Sequence, residues 1–286
     1  MRVGLRTAVV TGATTVLAGS GAGTISWAAY RLLMTQAGAA RAVIGRDTSK
    51  PPEADGVYAP GAPRPEPWRT GVPSDLHLMI FGDSTAAGLG CLSAADVPGV
   101  RLARGLAEAS GLRIRLSTKA ISGATSKGLA GQVDAMFVAG PPPDAAVILV
   151  GANDITKKHS IRASARRLAS AVARLRAADA LVIVGTCPNL GTVTAIQQPL
   201  RTVVANWSVR LAKAQTVATT LADGVAVPMG SPLVASEFRA QPEILFATDG
   251  FHPSAAGYEL AAAQLLPVLV AAVRDRPGLP VAHSET

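Results

Sequence analysis

The chain has 286 residues, enough for one α/β domain with additional segments, and 49% of it is apolar, so it can bury a full core. Aromatic residues make up only 4%, which leaves alanine, valine, leucine and glycine to fill that core and favours helices packed closely on a parallel sheet. The net charge of +8 is spread along the sequence with no Lys/Arg run longer than two, unlike the concentrated charge and stacking aromatics of a nucleic-acid binder, so the expected partner is not nucleic acid, and the basic surface suits anionic lipids or cell-envelope polymers.

Residues 1–46 read as a signal or membrane-anchor segment. Arg2 and Arg6 precede an uncharged stretch from Thr7 to Tyr30. That stretch is longer than the apolar core of a signal peptide, ~7–15 residues, and about as long as a membrane span. Its Gly, Ala and Thr content makes insertion weak, and Arg31 and Arg41 follow it, so charge sets no orientation. Gly38-Ala39-Ala40 offers small residues for cleavage. The expectation is export, with the segment kept as an anchor or removed; the competing reading is a buried or amphipathic N-terminal helix. Gly19 to Thr24 is not a dinucleotide loop, because Thr24 replaces the third glycine and no βαβ unit surrounds it. Residues 47–74 hold seven prolines and form a linker or an extended arm that Trp68 pins to the body.

From Asp75 onward strands alternate with helices. Leu76–Phe81, Leu112–Thr118, Ala145–Val150, Leu181–Gly185 and Gly224–Val227 are the predicted strands. The second of them alternates Leu, Ile and Leu with Arg113, Arg115 and Ser117, so one of its faces is less buried. Val97–Ala109, ended by Gly111, Ser126–Phe137, Ser160–Ala178, Pro199–Leu221 and Ser254–Val273 are the predicted helices. The pattern implies a three-layer α/β/α sandwich with a central, mainly parallel sheet, in a single domain over 75–275, with a C-terminal tail at 276–286. Ligands of such a sheet bind at the carboxyl ends of its strands.

Four stretches sit at those ends. Gly82-Asp83-Ser84 follows the first strand, where a serine on a strand-to-helix turn is held up to a substrate; the alternative is a plain capping turn. Gly123, after the second strand, lets the backbone approach a ligand, or is an ordinary turn glycine. Gly151-Ala152-Asn153-Asp154, after the third, offers an amide donor or a cap. Asp249-Gly250-Phe251-His252-Pro253 precedes the last helix, and its two side chains lie in one turn where Asp249 can accept from one imidazole nitrogen while the other faces outward. No third or fourth ligand accompanies them, so no metal site is expected.

Together and in this order the four stretches resemble the SGNH hydrolase family, also called GDSL esterases and lipases, in its exported actinobacterial type; the resemblance covers about Leu76 to Val273. It implies the family's flavodoxin-like fold and a serine esterase or lipase acting on short-to-medium acyl or lipid-derived carboxylic esters. In that machinery Ser84 is the nucleophile, His252 the general base, and Asp249 its orienting partner. The N–H groups of Ser84 and Gly123 with the Asn153 side chain form an oxyanion hole, and Asp83, Gly151 and Asp154 support it. No cofactor is required. Carbohydrate O-deacetylation or acyl transfer on envelope glycans is the alternative within the same machinery; a non-catalytic cell-envelope-binding protein is the alternative of another class. The partners expected are the ester substrate and, through the N-terminal segment, a membrane or envelope surface, with the oligomeric state open. Thr156, Lys157, Lys158 and His159 either line one wall or begin a solvated helix. Cys91 and Cys187 lack the spacing of a zinc site and are either a disulfide pair in an oxidising compartment or two unrelated buried thiols.

Overall fold

The apolar run Ala145–Leu149 is buried at every residue and, as β4, lies at the middle of a six-stranded sheet. A computed structural model describes residues 27–44 and 50–276; residues 1–26, where a signal or anchor is expected, most of the C-terminal tail and His283 lie outside the described residues. The sheet is built from β1 (Gly56–Tyr58), β2 (Leu76–Gly82), β3 (Ile114–Thr118), β4, β5 (Leu181–Gly185) and β6 (Val225–Val227) in the order β1-β3-β2-β4-β5-β6. All neighbours pair in parallel except β1 with β3. Parallel strands need helical crossovers, and those cover both faces of the sheet.

The helices are α1 (residues 27–44), α2 (Ser84–Ala87), α3 (Pro98–Ser110), α4 (Leu129–Ala139), α5 (Ala152–Thr156), α6 (Ile161–Ala177), α7 (Leu200–Leu221), α8 (Pro232–Ala240), α9 (Pro242–Leu245) and α10 (Ala255–Arg274). One face of the sheet packs Leu78, Ile80 and Val147 against Leu102 and Leu106 of α3 and Leu265 and Leu269 of α10. The other packs Met79, Phe81 and Ile148 against Val133 and Met136 of α4 and Leu168 and Leu175 of α6. In α6 the buried residues recur with helical period, and the arginines fall between them. Gly111 ends α3 in the left-handed region at φ 72°, and Ser254 caps α10 through Gly257 N–H, both at the positions expected from sequence.

Two segments join this body from the N-terminal side. The proline-rich stretch contributes β1, whose Val57 also exchanges backbone hydrogen bonds with Glu66, and Trp68 lies under the Arg115 guanidinium at 3.5 Å. The less buried face of β3 is thus partly filled by this stacked pair. Helix α1 buries Ala40, and its Gln36 side chain donates to Gln198 O and accepts from Leu200 N at the start of α7. Helix α10 is long and apolar enough to cross a membrane by length and composition, yet one of its faces, with Tyr258, Leu265 and Leu269, is inside the core.

Candidate active site

β2 delivers Ser84 to the carboxyl edge of the sheet. Gly82 turns the chain there with φ +134°, and a Cβ at this position would stand 1.9 Å from Leu149 O, so only glycine lets β2 and β4 run this close. Asp83 caps α2 by accepting from Thr85 N–H at 3.0 Å, which leaves Ser84 at the first position of the helix. This turn is the strand-to-helix elbow expected from sequence, and Ala86 within it is fully buried.

Ser84 Oγ lies 2.9 Å from His252 Nε2, and His252 Nδ1 lies 2.5 Å from Asp249 Oδ2. All three residues are buried, at 6%, 4% and 7% exposure, so little water competes for these bonds. Asp249 Oδ1 accepts from the backbone N–H of Phe251 (2.9 Å) and of His252 (3.0 Å). Burial alone would raise the Asp249 carboxyl, but the bonds from the His252 ring and from these two N–H groups outweigh it and hold it below the usual carboxylate range. An ionised Asp249 accepts a hydrogen bond from the imidazole Nδ1–H, and this tautomer leaves Nε2 to accept from the serine hydroxyl.

Gly123 carries φ +78° in an exposed loop with no atom within 4 Å of where a Cβ would be. This loop is tied to the elbow by Ile121 N–H donating to Gly82 O (3.1 Å). On its other side Lys157 Nζ donates to Gly123 O at 2.7 Å. Asp154 makes the second tie: it is buried and accepts from Ser126 N–H, Ser126 Oγ, Ser164 Oγ and the His159 ring. Asn153 is half-buried one residue before it, on the same turn. Lys158 reaches Met34 of α1, and Arg41 of α1 donates to Thr156 O, so the Thr156–His159 stretch is occupied in holding loops and α1.

Gly151 has φ +146°, and a Cβ there would meet Cys187 Cβ at 2.9 Å. Its N–H is a further partner of Asp83, whose carboxyl burial pushes up to about 6 against the pull of Thr85 and Gly151. Two glutamines escape a motif-based reading. Gln132, in the apolar stripe of α4, pairs its amide with both the N–H and the C=O of Gly82 (2.8 and 2.7 Å). Gln215, on α7, bridges Val150 O and Cys187 N–H (2.8 and 2.6 Å). A lone glutamine within each helix's buried stripe is the signal that could have drawn attention to them.

Beside the elbow an apolar cavity is walled by Leu190, Val193, Met229, Phe238, Phe246 and Phe251. Ser84 and His252 do not line it, but their chain neighbours Asp83, Thr85, Phe251 and Pro253 do. The cavity is thus adjacent in sequence to both Ser84 and His252 without being lined by either.

The disulfide alternative is not realised: Cys91 and Cys187 are free thiols. Cys91 packs in the core shared with α3 and α10, and Cys187 in a separate cluster with Leu190 and Leu211, so the two belong to different packing layers. Burial pushes the Cys91 thiol up to about 12 and raises Cys187 as well, with Asp83 and Asp154 adding to it, so neither is a nucleophile. His77 is buried against Ser117 Oγ (2.9 Å), and burial lowers its pKa to about 4, so it stays neutral as a packing residue. Among the described residues no group of three His, Cys, Asp or Glu side chains could hold a metal ion.

Residues 80–260 match the GDSL-like Lipase/Acylhydrolase family. The chain is 58% identical over 259 residues to the GDSL-like esterase Rv1075c of Mycobacterium tuberculosis, an alignment covering 91% of this chain and 82% of that protein. Among solved structures it is similar in fold to TesA (TM-score 0.54, 23% identity, 68% of this chain and 99% of that one). It is similar to the same degree to the esterase EstA from Pseudoalteromonas sp. (TM-score 0.53, 20% identity, 70% and 100%). A mutant of Axe2, an acetyl-xylooligosaccharide esterase from Geobacillus, gives a TM-score of 0.52 at 23% identity over 68% of this chain and 94% of that one.

Proposed function

Because the chain belongs to the GDSL-like lipase/acylhydrolase family and is a carboxylic ester hydrolase, we propose that it works through a Ser84–His252–Asp249 triad on esters with an apolar acyl group. The observation that carries this reading is the buried relay of 2.9 and 2.5 Å from Ser84 Oγ through the imidazole to Asp249. Ser84 attacks the ester carbonyl as His252 Nε2 takes its proton, and the imidazolium formed is stabilised by Asp249. The tetrahedral oxyanion is received by the N–H groups of Ser84 and Gly123 and by the Asn153 amide. Collapse expels the alcohol, which takes the proton from His252. Water then repeats the sequence on the acyl-enzyme and releases the acid.

The apolar cavity supports an acyl chain there rather than a sugar, so esterase or lipase chemistry is preferred to glycan deacetylation. The likeness to Axe2 is one of fold alone and does not alter this preference. We also propose one hydrolase domain at 75–275, with 47–74 as an arm adding the edge strand, and export or envelope anchoring through the N-terminal segment.

The test is hydrolysis of p-nitrophenyl esters from acetate to palmitate, with fluorophosphonate labelling, on wild type and variants. Ser84→Ala falls to background and is not labelled. Asn153→Ala loses about 10²–10³ in turnover but remains measurable, as expected for one lost oxyanion donor. Asp249→Asn is strongly impaired because the wrong tautomer is favoured. Wild-type rates in Ser84→Ala would refute the triad, and a folded protein that neither hydrolyses any ester nor takes the label would make it a binding protein.

A further inference from the structure

Charge that looks evenly spread along the sequence gathers, in three helices, into stretches without acidic residues. Helices α1, α6 and α7 carry two, five and three Lys/Arg residues, with no Asp or Glu in any of them. Arg174 and Arg176, near the C-terminal end of α6, are neutralised by Asp134 and Asp223. Arg162, Arg166 and Arg167 in its first half, with Arg210 and Lys213 of α7, form no ion pair among the described residues, and all five are exposed. On the other face of the sheet Arg101 of α3 is paired with Asp96 and Glu259, whereas Arg104 of α3 and Arg274 of α10 bond only backbone carbonyls of Pro63 and Ala109.

Between α6 and α7 runs an open groove with a floor of small residues such as Ala165, Ala169 and Ala218 and with Arg162, Arg166 and Lys213 on its rim. Val217 and Leu221 of the same groove are 60% and 83% exposed. The cationic half of α6 starts at the carboxyl edge of the sheet, the edge at which Ser84 stands. Helix α1 lies against the same flank through Gln36 and Arg41, and presents Trp27 and Tyr30 at 63% and 57% exposure, with Arg31 over the Trp27 ring. The uncharged stretch Thr7–Ser26 leads directly into it.

We propose that this flank binds the surface of an anionic lipid bilayer. Unpaired cations answer the headgroup charge, and the exposed apolar side chains and the groove floor answer the acyl layer. Trp and Tyr are the residues that settle at a membrane–water boundary. A phosphate-rich nucleic acid would be attracted by the cations but would gain nothing from Val217 and Leu221.

The experiment is co-sedimentation of the full chain with vesicles of phosphatidylcholine alone or mixed with phosphatidylglycerol, at low and high salt, with duplex DNA as competitor. Wild type partitions more strongly onto the anionic vesicles, and the excess disappears in salt. Arg162→Gln/Arg166→Gln/Lys213→Gln loses that excess by on the order of 100-fold, from roughly fivefold for each cation removed. Val217→Ser/Leu221→Ser weakens vesicle binding at every salt concentration. Both variants hydrolyse p-nitrophenyl acetate at the wild-type rate, which shows that they are folded. Equal partition onto both vesicle types assigns binding to the N-terminal segment and overturns the proposal. So does a triple variant that binds like wild type. Displacement from vesicles by stoichiometric DNA reassigns the flank to nucleic acid.

Discussion

Asp83 should make the folded protein less stable as pH rises. It is 2% exposed, and burial lifts its carboxyl to about 6 from 3.8. Between those two values the folded chain keeps a proton on Asp83 that the unfolded chain has released. Stability therefore falls as pH climbs through this window, and above it the whole cost is present. The span corresponds to about 3 kcal/mol, or about 6–12 °C in melting temperature for a domain of this size. Asp83→Asn removes the titration while retaining an oxygen that can accept from Thr85 N–H. The lost second acceptor toward Gly151 shifts the variant's stability by a constant; only the buried carboxyl gives a slope. Thermal melts of both proteins across the acid-to-neutral range should show the difference, variant minus wild type, rising by about 3 kcal/mol between about pH 3 and pH 8 and then levelling off. A difference that stays flat over that range would refute the idea that Asp83 is held against its ionisation.

Other consequences can be measured directly. Gly151→Ala forces a side chain into a backbone conformation at φ +146° and against Cys187, and should lower stability in a urea melt by at least about 1–3 kcal/mol; an unchanged midpoint would show that the turn can relax. Asp154→Ala orphans Ser126 N–H and two buried hydroxyls, at about 1–3 kcal/mol for each group left unpaired, and should reduce turnover more than it changes KM because Asn153 shares its turn. Iodoacetamide should leave both cysteines unmodified in the native protein and alkylate both once it is denatured without reductant; a mass showing neither alkylated after denaturation would restore the disulfide. Ester hydrolysis should be unchanged by EDTA, and loss of activity would require a metal at or near His252.

What the sequence made legible follows from how local each signal is. β2, β4 and β5 are apolar runs bounded by turn residues, and their ends carry the residues that come together at the site. Asp249 and His252 share one turn, so their pairing needed no knowledge of the fold. β1 was hidden because it is a three-residue strand inside a proline-rich stretch, where pairing is decided by the open edge of β3 and not by any period of its own. The cationic flank was hidden for a related reason: a count along the chain gives each segment the same weight, whereas packing places α6 against α7 and leaves Arg162, Arg166, Arg167, Arg210 and Lys213 exposed.

The supporting polar residues escaped for a deeper reason. Three loops converge on the elbow, and each brings backbone groups that the sheet cannot satisfy. Gln132 takes both groups of Gly82, Gln215 takes Val150 O and Cys187 N–H, and Asp154 takes the N–H of Ser126. Buried backbone groups without partners are costly, so these side chains belong to the fold as much as to the chemistry. In the mechanism proposed above their effect on the reaction is indirect, through the backbone they hold. An oxyanion hole works only if its donors are already aimed when charge develops, since reorientation during the step would consume the gain. These bonds hold Gly82, Val150 and Ser126, each within three residues of Ser84, Asn153 or Gly123, the residues proposed to receive the oxyanion. The apolar cavity proposed to take the acyl group shares Asp83, Val150 and Gly151 with this framework, while Phe238, Phe246 and Met229 come from outside it. Substrate range can therefore change through those outer residues while the reacting geometry stays in place, and substitutions there should move KM along the acyl series before they move turnover on acetate.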